Sequence, residues 1–114
     1  MENILAKLKE AQGVLGVYLV GKGGNLLYGS SSLDSSPIAL SGLVASLKGY
    51  ITSMLEEVKL GNFSDMIVDG SAGRFVISQL KNGDLLAVFL TNSGNLGLVK
   101  FAISNSIDAL NKLI

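Results

Sequence analysis

The run Leu85–Leu90, LLAVFL, is apolar at every position. A strand with one wet face alternates apolar and polar residues, so an unbroken apolar run bounded by turn residues reads as a central strand covered on both sides. Covering both sides needs a layer of helix on each face of the sheet.

The rest of the chain supplies those layers. Ile4, Leu5, Leu8 and Ala11 fall on one side of a short amphipathic helix that ends before Gly13. GVLGVYLV, residues 13–20, reads as a buried strand, and after GKGGN the run LLYGS reads as its partner. Ser36-Pro37 is a helix start, with a hydroxyl to cap free N–H groups and proline at the first helical position. The helix it opens is predicted to run to about Lys59 and to stop at Gly61-Asn62. FSDMIVDG, GRFVISQL and DLLAVFL read as three more strands, the last two joined across Asn82-Gly83, a hairpin signal. TNSGN reads as a loop, and a closing helix carries the stripe Leu96, Val99, Ile103, Ile107, Leu110, Ile114. The order α-β-β-α-β-β-β-α describes an α+β fold: a five-stranded antiparallel sheet inside a helical sandwich, expected as a single domain over residues 1–114.

Charge and composition narrow the function classes. Nine basic and nine acidic residues cancel, which predicts no nucleic-acid partner. Cysteine and histidine are both absent, which removes thiolate chemistry, the commonest general base and the usual zinc ligands; no metal and no cofactor are expected. MENILAKLKEAQ alternates charge with apolar residues and does not read as a signal peptide. Pro37–Leu55 approaches membrane-spanning length, but Lys48 and several hydroxyl residues interrupt it, and Glu56 and Glu57 follow. It is read as a buried or interfacial helix rather than a membrane insertion, in a cytoplasmic protein.

The glycine-rich stretch Gly21–Asn25, GKGGN, could cradle a phosphate only if a helix N-terminus followed it; a strand-like run follows, so it is read as a hairpin turn. Asp65 and Asp69 share a strand face about 13 Å apart, wide for a carboxylate pair. The serines of SSSLDSS have no histidine to activate them, and Asp34 among them reads as a turn residue. Arg74, the sole arginine, is read as a solvated strand start, with a contact to a phosphate-bearing partner as the functional alternative. No catalytic residue is assigned, and the chain is not expected to be an enzyme.

The long helix offers two faces. At about 100° per residue, Leu40, Leu43, Val44, Leu47, Ile51, Met54, Leu55 and Val58 gather on one side and are expected to pack on the sheet. Gly42, Ala45, Ser46, Gly49 and Ser53 gather opposite. Glycine in a helix interior costs about 1 kcal/mol relative to alanine, so this small-residue face is expected to admit a second helix at close range. An apolar content of 48% against 16% charged residues agrees with a surface covered by a partner.

The whole pattern resembles the roadblock family, which includes dynein light-chain and bacterial Mgl-type domains. The resemblance rests on the element order, on GVLGVYLVGKGGNLLYGS as the first hairpin, on the long helix from Ser36, and on FSDMIVDGSAGRFVISQLKNGDLLAVFLTNSGNLGLVKFAI running into the last helix. It implies a sheet of order 2-1-5-4-3, with Leu85–Leu90 in the middle, and homodimers in which the third strands, Phe63 to Gly70, pair edge to edge. Phe63, Met66 and Val68 would then join Gly42, Ala45, Ser46, Gly49 and Ser53 in the dimer interface. For function it implies a non-catalytic scaffold that binds and regulates a Ras-like small GTPase. The alternatives are a structural light chain or adaptor of a dynein-like motor or other complex, and a profilin-like small-molecule sensor.

Overall fold

The computed structural model describes residues 1–92 and 95–114; Ser93 and Gly94, inside the TNSGN stretch read as a loop, lie outside the described residues. The elements are α1 (Glu2–Lys9), β1 (Val14–Val20), β2 (Leu26–Ser31), α2 (Pro37–Glu57), β3 (Asp65–Gly70), β4 (Gly73–Gln79), β5 (Leu85–Leu90) and α3 (Leu96–Asn111). All five strands join one antiparallel sheet in the order β2-β1-β5-β4-β3. The unbroken apolar strand β5 is therefore central, as its composition requires.

Register divides the sheet into two faces. Tyr18 pairs with Ala87, Ala87 with Ile77, and Ile77 with Met66; the next row runs Gly16, Phe89, Phe75, Val68. These rows lie under α2, whose Val44, Leu47, Ile51 and Leu55 pack into the same cluster. The alternate rows, Leu19-Leu86 and Val17-Val88-Val76, face α1 and α3, where Leu5, Leu8, Val99, Ile103 and Leu110 complete a second core. The stripe read along α3 is the face it buries, apart from Ile114 beyond the helix end.

Two helix termini show how local chemistry sets the boundaries. Ser36 caps α2 by accepting a hydrogen bond from the Ala39 N–H at 3.2 Å. The stop differs from the glycine signal at Gly61. The helix ends at Glu57, the Lys59 N–H donates to the Glu56 carbonyl (3.2 Å) and the Leu60 N–H to the Leu55 carbonyl (2.9 Å), and Lys59 takes the left-handed conformation at φ 57°. This bond pattern closes a helix with one left-handed residue, usually glycine. Here a lysine occupies it, so the composition gave no warning.

Candidate functional site

α2 exposes much of an apolar helix. It is 21 residues long and contains an 18-residue stretch of mean hydropathy 1.4, long and apolar enough by composition to cross a membrane. In the fold it lies along the sheet, with neighbours in β1 and β2. Only Ser41 and Val44 are fully buried along it.

The eight-residue apolar stripe does not all meet the sheet. Val44 is buried and Leu40, Leu47, Ile51 and Leu55 are half-buried against the core, but Leu43 is 66% exposed, Met54 64%, and Val58 is exposed as well. The helix is turned so that Ser41 replaces Leu43 against the sheet. Burial of Ser41 costs little because its hydroxyl donates to the Ile38 carbonyl within the same helix, at 2.8 Å. That local bond is invisible to a hydropathy pattern, and it leaves an outward ridge of Leu43, Tyr50 (73% exposed) and Met54. Tyr50 was missed by the sequence reading; its place three and four residues from Leu47 and Met54 was the available signal.

Beside the ridge, Gly42, Ser46, Gly49 and Ser53 are exposed. A Cβ built on Gly42 or Gly49 meets no atom within 4 Å among the described residues, so none of those requires glycine at either position. Ala45 is placed differently from the other four. It is half-buried and faces the Gly24 turn, where a Cβ built on Gly24 would lie 3.2 Å from its own.

Among the described residues β3 is an edge strand paired with β4 alone. Ile67 is 40% exposed and Val68 39%, while Met66 is half-buried over Ile77. Phe63 departs from the edge role expected of it: it precedes the strand, is 6% exposed, and packs in the core beneath α2. An aromatic at that depth serves the single chain's own core. At the β3–β4 turn end of the sheet, Leu15, Leu33, Val68, Phe75, Phe89 and Leu90, with Arg74, line a largely apolar groove of about 290 Å³. The Phe75 and Phe89 rings lie 5.3 Å apart there. An unpaired edge without proline beside such a groove is a template for strand pairing.

Arg74, at the wall of this groove, is not a solvated strand start; its side chain is 22% exposed. Its Nε lies 2.9 Å from the Asp69 carboxylate on the paired position of β3. The contact is an ion pair without an aligned N–H···O hydrogen bond. Its guanidinium is thereby engaged inside the chain. Among the described residues no group of three or more histidine, cysteine, aspartate or glutamate side chains is placed to hold a metal ion.

The model for the Roadblock/LC7 domain matches residues 1–90, from α1 through β5. The chain belongs to the Roadblock/LC7 family. No curated protein matches it by sequence. Among solved structures, this roadblock domain superposes on Myxococcus xanthus MglB with a TM-score of 0.90 at 22% identity, covering 97% of this chain and 94% of that one. A structure described as MglB with tetrameric arrangement gives 0.86 at 19% identity, over 97% and 85% of the two chains. A Roadblock/LC7 domain from Streptomyces avermitilis gives 0.89 at 12% identity, over 99% and 96%. At these identities the likeness is one of fold: the five-stranded sheet and three helices are the roadblock, profilin-like architecture.

Proposed function

We propose that this roadblock domain works as a homodimeric, non-catalytic platform that binds and regulates a Ras-like small GTPase in the cytoplasm. The observation that carries the dimer is a pair of incomplete surfaces: the outward ridge and small-residue face of α2, and the unpaired edge of β3 with its exposed Ile67 and Val68. A two-fold axis beside β3 would extend the sheet through two copies and set the α2 helices side by side, with Gly42 and Gly49 allowing close approach. Met66 and Val68 would line the strand contact, while Phe63 supports it from within the core. The MglB structure in a tetrameric arrangement supports self-association as a property of similar folds.

The GTPase rests on family membership. In such an arrangement the partner supplies nucleotide and chemistry, and the platform supplies shape to its mobile switch loops. The test is capture of partners from native lysate by the tagged chain, once with GDP and once with a non-hydrolysable GTP analogue. Enrichment of a Ras-like GTPase in the GTP-like state alone is the expected result. Recovery of the same motor, filament or scaffold protein in both states would instead make the chain a structural light chain or adaptor.

A further inference from the structure

The two hairpins β1–β2 and β4–β5 are built alike. In each a glycine N–H closes a tight turn: Gly24 to the Gly21 carbonyl at 2.9 Å, and Gly83 to the Leu80 carbonyl at 3.0 Å. Each is then sealed by a 2.8 Å bond, from Gly21 N–H to the Asn25 carbonyl and from Leu80 N–H to the Asp84 carbonyl. Gly24 and Gly83 both take positive φ, 87° and 95°. In both turns the residue after the first is a lysine, Lys22 and Lys81. Since β1 and β4 each run antiparallel to β5, the two turns stand at the same end of the sheet.

α2 passes that end and adds Lys48, so that three lysines from three separate elements line one cleft of about 470 Å³. No carboxylate lines it, and none of the three lysines makes an ion pair with a described residue. The nearest acid in sequence, Asp84, accepts a hydrogen bond from the Asn82 side chain at 3.0 Å. Lys22 is not a loose surface side chain: a Cβ built on Gly83 would collide with its stem, so the glycine is what lets Lys22 lie across the neighbouring hairpin. At the floor, Gln79 pairs with Leu85 and so shares the α2 face; the buried oxygen of its amide has no partner among the described residues. Amide oxygen and nitrogen exchange by a simple flip, which would present a donor at the same point.

We propose that this cleft binds a polyphosphate group, the di- or triphosphate moiety of a small free ligand. Three ammonium groups held together without a counter-charge repel one another, and a multivalent anion replaces that repulsion with charge-assisted hydrogen bonds. The cleft volume falls in the range of ligand sites, and lysine serves phosphate as a point charge needing no planar geometry. This is not the glycine-loop device rejected for Gly21–Asn25. The hydrogen bonds just described engage the Gly21 and Gly24 N–H groups inside the turn, so the side chains would do the binding. The site uses residues of one chain and stands apart from the GTPase reading.

The test is a titration of the full chain with inorganic tripolyphosphate in about 150 mM salt, where weak surface attraction is screened, followed by amide NMR shifts. Saturable shifts centred on Lys22, Lys48, Lys81 and Gly83 are expected. Lys48→Gln and, independently, the exposed Lys22→Gln should each weaken binding at least tenfold, with dispersed spectra showing that both variants fold. Lys100→Gln, on α3, should leave it unchanged. Absence of saturation, an equal loss with Lys100→Gln, or equally tight binding of citrate would overturn the polyphosphate assignment.

Discussion

Gly49→Leu separates folding from assembly. In the single chain a side chain at position 49 projects into open space, so leucine meets no steric penalty there. Replacing glycine in an exposed helix interior by leucine gains about 0.5–0.8 kcal/mol of helix propensity, which for a domain of this size is a rise of roughly 3–5 °C in Tm. Assembly should respond in the opposite sense. If α2 helices meet across their small-residue faces, each new leucine overpacks the contact at a cost of about 1–3 kcal/mol. A two-fold dimer carries the substitution twice, or about 2–6 kcal/mol. That raises the dimer Kd by about 30-fold to about 10⁴-fold. Sedimentation equilibrium over a dilution series reads the Kd, and thermal melts at several concentrations read the coupling. Wild-type Tm should climb with concentration, because dimerisation stabilises the folded state by mass action. The variant's Tm should be flat and higher at the dilute end. An unchanged dimer with a raised Tm would show that the small-residue face is simply solvated, and would refute the reasoning.

Three further substitutions probe the single chain. Lys59→Gly, at the left-handed position closing α2, should stabilise by about 0.5–1 kcal/mol in urea unfolding, since it relieves the Cβ strain. Phe63→Ala should cost about 3–5 kcal/mol of folding stability as a core truncation; a change in dimer affinity with no change in stability would return Phe63 to the interface. Gly73→Ala should destabilise by about 1–3 kcal/mol, because its Cβ would stand 2.8 Å from the Leu90 carbonyl oxygen. An unaltered midpoint would show that β4 can shift there freely.

The central place of β5 was legible because that strand carried an unusual signal. Six apolar residues at Leu85–Leu90 required cover on both faces, and the order implied by the family resemblance placed that strand centrally, where the structure has it. Glycine turns at Gly24 and Gly83 were equally readable, since positive φ selects for glycine. What the sequence concealed depends on hydrogen bonds that composition does not encode. The Leu60 N–H to Leu55 carbonyl bond stops α2 before Gly61, and the Ser41 hydroxyl satisfied by Ile38 allows the helix to turn and expose Leu43 and Met54. Phe63 misled for another reason: a residue just ahead of an edge strand can point back under a helix, and periodicity along the strand says nothing of that. The ion pair that engages Arg74 follows from the register of β3 on β4, which brings Asp69 opposite it.

The account turns on β3 meeting its own copy, and the absence of cysteine from the chain makes that directly measurable. Ile67 and Val68 stand at the middle of the strand, where a two-fold axis would bring like positions together. Ile67→Cys and Val68→Cys, each the sole thiol in its protein, would be oxidised under mild conditions alongside a Lys100→Cys control on α3. Cross-strand neighbours lie about 4.5–5.5 Å apart between Cα atoms, within disulfide reach. Rapid formation of a covalent dimer of twice 11.9 kDa at position 67 or 68, and not at 100, is the predicted result. Cross-linking at position 100 while both strand positions stay monomeric would place the interface elsewhere and contradict the account.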